Sequence, residues 1–145
     1  MKWFFDTSVL IPVFLEDHEH HGPSLAAFLA AKKEQGCCAA HSLAELYSAL
    51  TRLPGKHRLS GEQVLLFLEA IEERLTVVAL DGAEYQSVIK QAAAAGIVGG
   101  MLYDALIAQC ALKARAEKIY TWNVEHFQRL GAEVARRVQK PRDVS

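Results

Sequence analysis

Three acids and one amide stand where this sequence is able to do chemistry. Asp6 stops the apolar run of KWFFDTSVL and leads at once into a hydroxyl pair and a second apolar run. Glu45 lies in SLAELYSALTRLP, Asp104 in YDALIAQCA and Asn123 in TWNVEHF. Each has an ordinary structural reading. Asp6 suits a helix N-cap, and Ser42 with Glu45 three residues on spells a capping box. At 100° per residue Glu45 falls off the stripe of Leu43, Leu46, Tyr47 and Leu50, so it faces solvent or a cleft. Asp104 occupies the first turn of a nearly uncharged helix. The helix dipole is worth only about 0.3–1 kcal/mol there, less than partial burial of an unpaired carboxylate costs, so a cation or donor is expected beside it. Asn123 is a common turn former. What lifts these residues above such readings is convergence: carboxylates brought to one point repel, and a hard divalent cation with oxygen ligands is the usual remedy.

The elements that must bring them together follow from the pattern of apolar residues. KWFF, CCAA, TVVAL and KIYTW read as short buried strands. Between them, SVLIPVFLE reads as a helix broken or bent near Pro12. HHGPSLAAFLAAKKEQG reads as a second, with Pro23 near its first turn and Gly36 at its stop. SLAELYSALTRLPG, SGEQVLLFLEAIEERL, GAEYQSVIKQAAAAG and MLYDALIAQCALKARAE are helical in period. Ser60 with Gln63 and Asp81 with Glu84 supply capping boxes. AEVARRVQ reads as a weak fifth strand at the sheet edge or a terminal helix. Strands alternating with helices imply an α/β fold of three layers, α/β/α, around a central parallel sheet of four to five strands. In such sheets sites form beyond the carboxyl ends of the strands, where Asp6, Thr121 and Asn123 all fall, and helices after the second strand and before the fourth can lean Glu45 and Asp104 over the same point.

The 145 residues, 51% of them hydrophobic, fit one domain over 1–145 with no repeat or linker. No signal peptide and no apolar stretch long enough for a membrane helix is visible, so a cytoplasmic protein with no membrane contact is expected. Three cysteines, Cys37, Cys38 and Cys110, lack metal-ligand spacing and read as reduced core residues. A formal net charge of −1 argues against coating nucleic acid by bulk attraction, while allowing a local basic surface. Two runs qualify, Arg52, Lys56, His57 and Arg58, and Arg136, Arg137, Lys140 and Arg142, though a solvated face explains either. The histidines of EDHEHH, His18, His20 and His21, read as a solvated loop or helix start rather than a metal site. His126 is a weaker candidate acid or base.

Taken together, FFDTSVLI, SLAELYSALTRLP, YDALIAQCA and TWNVEHF, in this order and over nearly the whole chain, resemble the PIN domain of VapC-type toxins, the ribonuclease half of type II toxin–antitoxin pairs. The resemblance implies a PIN-like fold and a metal-dependent endoribonuclease. Asp6, Glu45 and Asp104 match the three acids that hold Mg²⁺ or Mn²⁺, Ser8 matches a polar position beside them, and Asn123 matches a fourth position that is often Asp. It also implies an RNA substrate, a cognate antitoxin and a homodimer. In that scheme Asp6 and Asp104 are the main metal ligands, Glu45 completes the shell or orients water, and Asn123 holds a water or a phosphate oxygen through its amide. A catalytically silent PIN module binding RNA or protein is the alternative. An aspartyl-phosphate enzyme fits poorly, since Ser8 stands where one common type has a second Asp.

Overall fold

The computed structural model describes residues 1–142; the last three positions of the expected domain lie outside the described residues. Five parallel strands form one sheet: β1 (Trp3–Phe5), β2 (Gly36–Ala39), β3 (Thr76–Val78), β4 (Lys118–Tyr120) and β5 (Val138–Gln139). Their order is β3-β2-β1-β4-β5, so the first strand is central and the chain winds outward from it in both directions. The strand order reverses between β1 and β4, which makes the crevice beyond their carboxyl ends the expected ligand site.

Alternation along β1 builds the three layers. Phe5 faces a core with Val9, Leu46, Leu50 and Ile71, while Phe4 faces a second core with Cys37, Ile107, Ile119 and Phe127. The first is covered by α1 (Thr7–Val13), α2 (His21–Ala30), α3 (Ala40–Thr51) and α4 (Gly61–Arg74). The second is covered chiefly by α6 (Met101–Lys113), α7 (Val124–Gln128) and α8 (Ala132–Ala135), with α5 (Gly82–Ala94) packed on α6. All three cysteines are buried and unpaired, and burial pushes their thiols up to about 11 for Cys37 and Cys110 and about 12 for Cys38. Among the described residues no helix is long and apolar enough to cross a membrane.

The element pattern expected from the sequence is present, with corrections at its boundaries. The helix through Pro12 spans only Thr7–Val13. The second helix stops at Ala30, and Gly36 opens β2 instead of ending a helix. The physical reason is space: a Cβ at Gly36 would stand 2.8 Å from Leu75 Cδ2 and 3.1 Å from Ala31 Cβ. The Ser42–Glu45 capping box does not form. β2 runs directly into α3, whose N-cap is Ala39, and this leaves Ser42 inside the helix, buried. The segment AEVARRVQ supplies both expected forms, α8 and then β5. The capping boxes of α4 and α5 are present as expected.

Candidate active site

Register places the site before any side chain does. Phe5 is level with Cys38 on one side and Tyr120 on the other, so the next residues, Asp6, Ala39 and Thr121, reach the carboxyl edge together. Asp6 leaves β1 and caps α1, as its cap reading expects, while standing at the carboxyl edge of the sheet. It is 2% exposed. Its Oδ2 accepts from Ser8 Oγ at 2.7 Å, from Thr121 Oγ1 at 2.8 Å and more weakly from the Ser8 N–H at 3.4 Å. The hydroxyl oxygens in turn accept backbone N–H groups from the turn after β4, Ser8 from Trp122 at 2.9 Å and Thr121 from Asn123 at 3.0 Å. Both hydroxyl protons are therefore committed to Asp6. Its Oδ1 accepts from no side chain among the described residues. A carboxylate oriented by hydroxyl donors in this way is suited to holding a metal.

Glu45 and Asp104 approach from flanking helices. Thr7 Oγ1 stands 2.7 Å from both Glu45 Oε1 and Ser42 Oγ. Thr7 Oγ1 is the donor of both contacts, so its single proton is shared between the Glu45 carboxylate and the Ser42 hydroxyl oxygen. His41, one turn earlier on α3, places Nε2 4.0 Å from Glu45 Oε2. Asp104 sits in the first turn of α6, with His126 Nδ1 3.9 Å from its Oδ2. Burial first, and then the negative charges of Asp6 and Glu45, push the Asp104 carboxyl up to about 6. Burial likewise raises Asp6, against the lowering effect of its hydrogen bonds. The repulsion felt by Asp104 puts it in the same neighbourhood as Asp6 and Glu45.

The donor set fits a hard cation. Every candidate ligand is a carboxylate oxygen, and Mg²⁺ characteristically takes one or two carboxylates with several waters. As placed, no three His, Cys, Asp or Glu side chains among the described residues close around a single point, because Glu45 is turned onto Thr7 and Asp104 toward His126.

Asn123 reaches the same edge, but its side chain is exposed. It lines a cleft of about 470 Å³ with Trp122, His126 and Lys140, and only its backbone N–H joins the Asp6 network. The second basic run is divided: Arg136 and Arg137 pair with Glu133, leaving Lys140 beside the cleft. In the first, Arg58 Nε donates to the Leu53 carbonyl. The histidine loop is tied by local bonds, His18 Nδ1 accepting from the His20 N–H and His21 Nδ1 lying 2.7 Å from the Pro12 carbonyl. Two residues that sequence reasoning left without a role, Thr7 and Thr121, are the main anchors of Glu45 and Asp6. Thr121 carried a usable signal, since it follows β4 as Asp6 follows β1.

A parallel sheet with acids brought to its switch point defines the class, an α/β domain with an acidic site at its carboxyl edge. The PIN domain model matches residues 3–133, and the chain belongs to the PIN domain family. It is 36% identical over 132 residues to Ribonuclease VapC40 of Mycobacterium tuberculosis, covering 89% of this chain and 94% of that protein. In fold it is similar to M. tuberculosis VapC20, described as a sarcin-ricin loop cleaving toxin (TM-score 0.69, 15% identity, 86% of this chain and 92% of that one). It is also similar to a chain of VapBC2 from Rickettsia felis, bound to a DNA fragment from its promoter (TM-score 0.65, 17% identity, 97% of this chain and 98% of that one).

Proposed function

We propose that this chain is a metal-dependent endoribonuclease acting as the toxin of a toxin–antitoxin pair. The observation that carries the reading is the approach of Asp6, Glu45 and Asp104 to the carboxyl edge of β1, with Asp6 held by Ser8 and Thr121, Glu45 by Thr7, and Asp104 near enough to feel the charge of both. The ribonuclease name of the mycobacterial relative supports RNA as substrate, and the VapBC2 complex supports an antitoxin partner. A homodimer is part of the same reading.

Asp6 through Oδ1, together with Asp104, would hold Mg²⁺ or Mn²⁺, with Glu45 completing the shell or orienting the attacking water. Such an ion supplies a nucleophilic water near neutral pH and neutralises charge on the leaving oxygen. Ser8 and Thr121 keep the Asp6 carboxylate fixed in plane, and Thr7 does the same for Glu45. Asn123 and Lys140, on the adjoining cleft, hold substrate phosphate, the first by its amide and the second as a point charge.

The test is RNA cleavage by the purified chain with Mg²⁺ or Mn²⁺ and with EDTA. Asp6→Asn and Asp104→Asn are expected to lose more than the roughly 10–100-fold that removing an outer partner of a metal costs. Wild-type cleavage rates in both variants would refute the site. RNA binding with no cleavage under any metal condition would favour the silent module.

A further inference from the structure

Away from the acid edge, a cavity of about 330 Å³ opens between α5, α6 and the segment that joins α7 to α8. Its walls are Val88 and Ala92 of α5, Ala108 and Leu112 of α6, Leu130 from the α7–α8 turn and Val134 of α8. Local structure shapes it. α5 ends before Gly96, whose φ of 73° suits a residue without a Cβ, and the Ile97 N–H donates back to the Ala92 carbonyl at 2.9 Å, which folds Ile97 over the same recess. Gly131, at φ 109°, turns the chain into α8. The polar groups of the lining are few: the Gln91 and Gln109 amides and the Arg129 guanidinium, with no Asp or Glu. Among the described residues Arg129 takes part in no ion pair.

We propose that this cavity binds a small apolar carboxylic acid, its hydrocarbon part against the aliphatic walls and its carboxylate on Arg129. None of the residues assigned to the acid site takes part. The volume and the lining are those of a small-molecule site, mainly apolar with a few polar groups that fix orientation. Charge complementarity selects an anion, because the lining's charged group is a guanidinium whose fork matches a carboxylate. A protein partner is a poorer match. It would be drawn to apolar side chains that stand out from the surface, and the exposed Leu29, Leu65, Leu66 and Ile89 line no part of this cavity, whereas Val88, Ala92, Ala108 and Val134 are buried.

The experiment is calorimetric titration of the full chain with octanoate and, as its uncharged match, octan-1-ol. Wild type is expected to bind octanoate saturably at a single site, and the alcohol about 5-fold more weakly, which is the discrimination an exposed guanidinium supplies. Arg129→Gln is expected to bind the two equally. Ala95→Trp, which sets an indole over the recess from the exposed end of α5, is expected to abolish binding of both, while Leu66→Ser on α4 binds as wild type does. No saturable binding by wild type, equal affinity for acid and alcohol, unchanged binding in Ala95→Trp or loss of binding in Leu66→Ser overturns the proposal. A change of mass in Ala95→Trp by light scattering would show that a second copy fills the cavity, and overturns it as well.

Discussion

At the scale of the residue, the site is a matter of where protons and charges are held. Ser8 and Thr121 both donate to one oxygen of Asp6, which leaves the other without a side-chain donor among the described residues. Thr121→Val keeps the shape of the side chain, removes one of these donors and frees the Asn123 N–H. Mg²⁺ affinity of the purified variant, measured by calorimetry, is expected to fall about 10–100-fold with the fold intact by circular dichroism. Asp104 gives a pH prediction with a definite sign. Its carboxyl is raised from 3.8 to about 6 in the folded chain, so the folded state binds the extra proton. In metal-free protein, stability is therefore highest below pH 4 as far as this group is concerned and is lost as pH rises toward and through about 6. Asp104→Asn should remove that loss. Thermal scans in EDTA are expected to show the variant melting higher than wild type at pH 7, by roughly a few degrees, and no higher at pH 4. The gain in stability accompanies the loss of activity, as expected when like charges are gathered for function.

At the scale of the element, the departures from sequence reading share one cause, which is that tertiary contacts overrule local signals. Ser42 and Glu45 match a capping box in spacing, yet α3 begins two residues before Ser42, because β2 passes into the helix without a loop. Ser42 is thereby drawn inward to Thr7, and Glu45 is turned to the site. Pro12 shortens α1 to two turns, since it lacks the N–H that would bond to the Ser8 carbonyl. Gly36 sits in a strand because its neighbours leave no room for a side chain. Gly36→Ala must displace the buried Leu75, and overpacking of this kind is expected to cost about 1–3 kcal/mol, read as a lower urea midpoint at unchanged m-value. An unchanged midpoint would mean that Leu75 yields freely.

At the scale of the whole molecule, the strand order places β1 in the middle and brings residues from the first and last thirds of the chain to one edge. Apolar surface is left over. Leu65 and Leu66 on α4 are 54% and 63% exposed, and Leu29 on α2 is 54% exposed. The apolar stripes of SLAAFLAA and VLLFLEAI thus exceed what one copy covers, in keeping with the proposed homodimer and antitoxin. Light scattering of the isolated chain is expected to give twice 16.0 kDa, and a monomer at micromolar concentration would count against the dimer. Because the acids come from separate elements, the site is expected to assemble only with the whole sheet. Urea unfolding followed by tryptophan fluorescence, which reports Trp122 beside the site, should coincide with loss of helix signal in a single transition.

The sequence by itself determined the alternation of strands and helices, hence the parallel three-layer class, and it marked Asp6, Glu45 and Asp104 through apolar runs broken by acids. Period and composition suffice for that, because each element must bury one face and the pattern records which. Only the tertiary structure decided which hydroxyls hold those acids, that Asn123 lies at the rim with its side chain exposed, and that two aromatic pairs flank the cluster. His20 with Trp122 and His41 with Tyr103 are separated by dozens of positions in the chain, and no local period encodes a contact made across a sheet edge. The register of β1 between β2 and β4 creates those contacts, and register is a property of the packed sheet.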